Sequence, residues 1–237
     1  MWSGPRNIST AMMRAWGSRA DTQVVDEPFY AHYLLLTPHR DDHPGADEII
    51  ASYITDPHSL TTWLSHNDAS DKPIFYQKHM THHMLDSIPL DWLARVSSAF
   101  LIRDPRAVIA SFSKVIPNPD IDQIGLPGQI RIFNHVHELT GVIPPVIDAA
   151  DVLREPRATL TRLCQALGVP FDPAMLTWER GSRLTDGIWA KHWYAAVEAS
   201  TGFAPYQPKH DPIPEHLHAL ADECDALYKT MYAHRLT

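Results

Sequence analysis

The 237-residue chain carries 44% hydrophobic and 20% charged residues, an ordinary globular composition with enough length to bury a sizeable core. Its formal net charge of −8, with no basic run, argues against a nucleic-acid partner, which needs a cationic face. No apolar stretch nears the roughly 20 residues of a membrane helix and no charged-then-apolar leader opens the chain, so no membrane partner and a cytoplasmic location are expected.

The chain opens on Ser3-Gly4-Pro5-Arg6-Asn7-Ile8-Ser9-Thr10, a turn of small residues around one cation, and runs into the helical pattern Ala11–Arg19. Free N–H groups at a helix start, hydroxyl donors and the positive end of the dipole suit an anion. The same residues also fit a plain capped helix with Ser9 or Thr10 as N-cap. A Walker loop is excluded, because its second Gly and its Lys are missing. Thr22–Val25 reads as a short buried strand, followed by helices over Phe29–Leu36, Ala46–Ile54 and Ser59–His66. Further strands are predicted at Pro73–Gln77, Ala99–Ile102 and Pro145–Ala149. Helices are predicted over Asp104–Val115, Arg157–Leu167 (stopped by Gly168), Trp189–Ala199 and Pro214–Ala233. Ile116–Pro127 and Gly181–Gly187 read as surface loops. The repeated βα order implies an α/β three-layer sandwich around a central, mostly parallel sheet, in one domain over residues 1–237. Cys164 and Cys224 fall on apolar helical stripes, as buried thiols do.

In an open parallel sheet, ligands bind beyond the carboxyl ends of the strands. The charged residues expected there are Asp26 and Glu27, then Lys78 and His79, then Arg103 and Asp104. Arg103 offers a forked pair of donors to a phosphate, and Ser111, two turns into the next helix, offers a hydroxyl. A structural arginine beside Asp104 and an ordinary helical serine would give the same string.

Three segments resemble the sulfotransferases that use 3′-phosphoadenosine 5′-phosphosulfate. Pro5-Arg6-Asn7-Ile8-Ser9-Thr10 is similar to that family's 5′-phosphosulfate loop: a Pro, then Lys or Arg, then small residues and Ser or Thr. Phe100–Phe112 is similar to the 3′-phosphate segment, where an Arg is followed eight positions later by a Ser, as Arg103 and Ser111 are. Asp151-Val152-Leu153 through Leu167-Gly168-Val169-Pro170-Phe171 resembles the late strand, helix and Leu-Gly stretch. The resemblance implies a P-loop-type fold without nucleotide hydrolysis. It places Gly4, Pro5, Arg6, Asn7, Ile8, Ser9 and Thr10 around the 5′-phosphosulfate and Arg103 with Ser111 on the 3′-phosphate. Glu179-Arg180-Gly181 is loosely similar to the family's Arg-Lys-Gly element, which gives Arg180 and Gly181 a share of the 3′-phosphate.

For catalysis the resemblance implies Arg6 as the cation at the bridging oxygen, Glu27 as the base and Lys78 as a second cation on the sulfuryl oxygens. The chemistry asks for positioning, charge stabilisation and a proton acceptor rather than a metal. The co-substrate leaves as adenosine 3′,5′-bisphosphate, and the acceptor is a small-molecule hydroxyl or amine. Lys78-His79-Met80-Thr81-His82-His83 packs histidines that on a helix would share a face. Their spacing suits zinc, an acceptor-pocket lining with His79 as substitute base, or solvated side chains. Phe29, Tyr30, Trp189, Trp193 and Tyr194 are candidates for an acceptor-pocket wall or for core. The competing functions are a small-molecule kinase and a non-catalytic nucleotide or protein binder. Self-association into a homo-oligomer stays open.

Overall fold

The structure, a computed structural model, describes residues 1–66, 69–208 and 211–237. Its elements in chain order are β1 (Trp2–Ser3), α1 (Ser9–Gly17), β2 (Thr22–Asp26), α2 (Tyr30–Leu36), α3 (Ala46–Ser52), α4 (Pro57–Leu64), β3 (Ile74–Met80), β4 (Phe100–Ile102), α5 (Pro105–Phe112), α6 (Ile121–Ile124), α7 (Leu126–Thr140), β5 (Val146–Asp148), α8 (Ala149–Arg154), α9 (Pro156–Ala166), α10 (Ala190–Trp193), α11 (Ala195–Glu198) and α12 (His218–Tyr232). The architecture is α/β, with the strands in parallel ladders and helices in the connections. Its internal contacts divide between two compact units.

The first unit comprises Met1–Ser9, Ser97–Phe171 and Ala204–Thr237. Its ladder runs β1, β4, β5, with Ser3 opposite Leu101 and Ile102 opposite Asp148. Phe100, Leu101 and Ile102 are all fully buried, as an unbroken apolar run must be in a strand covered on both faces. The chain then turns sharply. Asp104 accepts the Arg106 N–H and Pro105 takes the first helical turn, so α5 begins at once behind β4. Val108, Ile109 and Phe112 of α5 pack with Leu217, Ala221 and Cys224 around α12, and Ile116, Ile124 and Leu126 close that core. Both cysteines are buried and neither is in a disulfide.

The second unit comprises Thr10–Val96 and Asp172–Phe203. Here β2 and β3 pair over five residues, from Thr22 opposite Ile74 to Asp26 opposite Lys78. Arg14 of α1 forms a two-pronged ion pair with Asp186, Nη2 to Oδ2 at 2.6 Å, which ties the 181–187 loop to the helix. Trp16 stacks on Tyr76 of β3, ring centroids 5.4 Å apart.

Three sequence expectations need correction. β3 runs to Met80 instead of stopping at Gln77, because Lys78 is matched across the ladder by Asp26 and no longer acts as an exposed charge that ends a strand. The surface loop expected over Ile116–Pro127 instead holds α6 and buries Ile116, Ile124 and Leu126, and its end starts a 15-residue helix, α7, that the sequence pattern does not mark. Pro127 sits within its first two positions, where the missing N–H costs nothing, and Gln129, Ile132, Phe133 and Val136 form its buried face. The helix expected over Trp189–Ala199 is broken at Tyr194 into α10 and α11.

Gly4 stands where β1 gives way to the opening loop, and a Cβ added there would overlap the main-chain carbonyl oxygen of Ile124. Backbone cannot swing aside, so Gly4→Ala should cost about 1–3 kcal/mol. At about 2–4 °C per kcal/mol for a chain of this length, thermal unfolding should drop by several degrees. An unchanged melting temperature would contradict the close approach.

Candidate active site

The opening loop of the first unit is held in a conformation its residues resist. Arg6 has φ +56° and Ile8 φ +48°, both in the left-handed region that non-glycine residues avoid and that a β-branched residue enters least readily. Such positions cost of order 1–3 kcal/mol each and persist only where surrounding contacts over-determine them. Those contacts are present. The Asn7 side-chain amide donates to the Leu101 carbonyl at 2.7 Å, and Gln129 of α7 donates to the same oxygen at 3.0 Å. Gly4 and Pro5 are buried, Ser9 is buried as the first residue of α1, and Arg6 is exposed.

Two cations converge on this loop. Arg6 Nε donates to Ser111 Oγ at 3.0 Å, and Arg103 donates through Nη1 to the main-chain carbonyl of Arg6. Arg103, Ser111 and Arg6, separated by about a hundred residues of chain, therefore form one cluster. Burial, and then the neighbouring Arg6 cation, pull the Arg103 guanidinium below its ordinary value. Two like charges and a hydroxyl, beside a backbone turned out of its usual region, make a donor set suited to a phosphate or sulfate group.

In the second unit, Lys78 is the hub. Its ammonium donates to Asp26 Oδ1 at 2.9 Å, to Tyr194 Oη at 2.6 Å and to Glu27 Oε1. Lys78 is 1% exposed, and all three of its protons are spent on these oxygens. Burial alone would push its pKa down, but the carboxyl groups of Asp26 and Glu27 outweigh that and hold it up. Tyr194 gives its own proton to Asp26 Oδ2 at 2.7 Å and receives the Trp189 indole N–H at 3.2 Å. The Gly187 N–H, at 3.1 Å, completes the shell of Asp26. Glu27 has φ +40°, held there by its N–H donating to the Lys78 carbonyl at 2.9 Å. Burial raises its pKa, the Lys78 cation opposes that, and the Asp26 charge adds to it.

Not every expected residue falls in these clusters. His79 lies within β3, on the face opposite Lys78, bonded to Gln77 Oε1 at 3.0 Å and packed against Phe29 and Trp92. Its place beside Glu27 is taken instead by His83, whose Nδ1 is 3.9 Å from Glu27 Oε2. The shared helical face expected for His79, His82 and His83 does not form, because His79 ends in a strand and the other two sit in a 3-10 turn, Thr81–His83. Among the described residues no group of three or more His, Cys, Asp or Glu is placed to hold a metal. Thr10 opens the second unit, half-buried in α1. Arg180 is exposed in that unit, and Gly181, at φ +103°, donates its N–H to the Glu198 carbonyl at 2.8 Å. Phe29, Tyr30, Trp189 and Tyr194 are buried, while Trp193 is half-buried near His43. From the sequence, Asp26 is only one of the charges expected at the strand ends, and Tyr194 a candidate for pocket wall or core. A polar residue ending a buried strand was the available signal for the first, and none marked the second.

A family model described as "Sulfotransferase domain" matches residues 1–234. Branched-chain-amino-acid aminotransferase-like protein 1 of Arabidopsis thaliana is 35% identical over 98% of this chain, and protein 2 of the same plant is 33% identical over 98%. The chain spans only 41% of the length of either relative. Among solved structures, the sulfotransferase domain from the Synechococcus PCC 7002 olefin synthase superposes with a TM-score of 0.53 at 18% identity, covering 100% of this chain and 94% of its own. The sulfotransferase domain from the curacin biosynthetic pathway gives 0.50 at 18% identity, covering 99% and 90%. These two likenesses show the fold.

The burial of Glu27 has a consequence for stability. With its folded pKa above the ordinary value near 4.5, the folded chain holds this proton more tightly than the unfolded chain does. The stability tied to it is fully present below 4.5 and is lost as pH rises through the folded value. Urea unfolding from acid to neutral pH should therefore show the wild type losing stability relative to Glu27→Gln. Parallel profiles would contradict a raised pKa.

Proposed function

Because this chain belongs to the sulfotransferase-domain family, we propose that it moves a sulfuryl group from 3′-phosphoadenosine 5′-phosphosulfate to a hydroxyl or amine of a small-molecule acceptor. The observation that carries this reading is the junction of Arg6, Arg103 and Ser111 in one cluster on a strained loop. Resemblance assigns the two arginines to opposite ends of one doubly phosphorylated nucleotide, and their proximity supports that assignment. The donor set fits such a ligand, since guanidinium forks and hydroxyls are matched to phosphate oxygens.

When bound, the co-substrate supplies an activated sulfuryl group and a good leaving nucleotide. The chain's own residues do the rest. Arg103 and Ser111 hold the 3′-phosphate, with Arg180 and Gly181 a weaker carry-over from the resemblance. Ser9, Thr10 and the main-chain N–H groups of the loop hold the 5′-phosphate, and Arg6 offsets charge on the bridging oxygen as its bond to sulfur breaks. Glu27 takes the proton from the acceptor atom as that atom bonds to sulfur, a step typically worth about 10²–10⁴ in rate. Charge is balanced by fixed donors, as in phosphoryl transfer, and the chain need form no covalent intermediate.

Thermal unfolding with adenosine 3′,5′-bisphosphate tests the reading. At about a hundred times its dissociation constant a ligand stabilises by about 2.7 kcal/mol, an easily measured rise. The bisphosphate should give that rise and ATP with Mg²⁺ should not. Arg103→Ala and Ser111→Ala should abolish it, whereas Glu27→Gln should keep it and lose turnover. A response to ATP with Mg²⁺ in place of the bisphosphate would assign a kinase instead, and undiminished binding by Arg103→Ala would misplace the site.

A further inference from the structure

Lys78 was expected to touch the reacting group, yet its three protons already go to Asp26, Tyr194 and Glu27 and its side chain is closed off from solvent. We propose that Asp26, Lys78 and Tyr194 form a buried clamp that positions the Glu27 carboxyl, with Tyr194 a positioning residue for the proton-transfer step. The proposal rests on the reading that Glu27 is the proton acceptor.

The geometry of the clamp is closed at every joint but one. Tyr194 Oη accepts from Lys78 and from Trp189 Nε1 and donates to Asp26 Oδ2, so its capacity is filled. Asp26 accepts Lys78 on one oxygen and Tyr194 with the Gly187 N–H on the other. Glu27 is bound to Lys78 through Oε1, and its main chain is pinned at both ends: its N–H donates to Lys78 and its carbonyl accepts from the Tyr30 N–H at 3.0 Å. The left-handed φ that results is the strained feature the clamp supports. Among the described residues, Glu27 Oε2 is the exception. It lies 3.9 Å from His83 Nδ1, beyond hydrogen-bond reach, which makes it the oxygen that receives the acceptor's proton.

Tyr194 and Asp26 act on Glu27 with opposite signs. The Asp26 charge disfavours the Glu27 carboxylate, and the Tyr194 hydroxyl, by giving its proton to Asp26 Oδ2, eases that charge. The other groups facing Glu27 are Lys78, His83 and Tyr30. Burial holds His83 well below its usual value and raises Tyr30 far above its own, so both stay neutral near pH 7 and Lys78 supplies the positive charge.

The test is carbon-13 NMR of the full chain labelled at glutamate carboxyl carbons, with the Glu27 resonance assigned by its loss in Glu27→Gln. Its titration midpoint should move up in Tyr194→Phe and down in Asp26→Asn. A midpoint unmoved in both, or moved in the same direction by both, overturns the clamp, because a merely structural role has no reason to produce opposite signs. If neither variant folds, the wild type decides: a closed clamp gives a slowly exchanging Lys78 ammonium resonance in nitrogen-15 spectra, and a freely exchanging one overturns it. Once an acceptor is in hand, the acid limb of the kcat profile should follow the same two shifts with nucleotide binding unchanged. Absence of sulfuryl transfer by the wild type overturns the functional reading alone, since the titrations need neither donor nor acceptor.

Discussion

Two arginines joined through one loop, Arg103 bonded to the main chain of Arg6 and Arg6 to Ser111, are the constraint on which the rest of this site depends. Arg6 and Arg103 repel each other, and the loop that brings them together places Arg6 and Ile8 in a backbone region both avoid. Left to local preference the segment would relax. It is kept taut by Asn7, anchored to the β4 carbonyl of Leu101, and by Arg103 bonding to the Arg6 carbonyl itself. The hydrogen bond that ties one arginine to the backbone of the other is thus also what holds the loop open. Stored strain and like charge only partly offset by Asp104 and Asp148 suit a preorganised anion site, because neither must be created when an anion binds.

The second unit solves the reverse problem. Asp26, buried at the end of β2, is followed by the half-buried Glu27, and holding both there without a partner would be costly. The parallel register sets Lys78 directly across from Asp26, and its ammonium reaches both side chains. Tyr194 and the Gly187 N–H satisfy what remains of Asp26, while Glu27 is left with the poorer environment and a raised pKa. The placement of one cation thereby gives two adjacent acids different surroundings, Asp26 fully hydrogen-bonded and Glu27 with a raised pKa.

Much of this was legible in the string of residues, and the misses have physical causes. Phe100–Phe112 reads in sequence as a buried strand followed by a helix, with Arg103 and Ser111 eight positions apart, because those signals are local. The Arg6 loop was legible as an anion-binding candidate, but its strained backbone was not, since the contacts that impose it come from β4 and α7. Helix α7 was hidden by Leu126-Pro127-Gly128, whose breakers are harmless in a first turn. Lys78 reads in sequence as the residue beyond a strand because its neutralising partners lie about fifty positions earlier. Tyr194 gave no sign at all: its role comes from meeting Lys78 and Asp26 in space.

The central claim is that arginines a hundred residues apart serve one ligand. A crystal structure grown with adenosine 3′,5′-bisphosphate tests it directly. The account predicts one phosphate on Arg103 and Ser111 and the other against the loop that carries Arg6, within a single nucleotide. A nucleotide bound elsewhere, with the Arg6 to Ser111 and Arg103 to Arg6 bonds undisturbed, would contradict it.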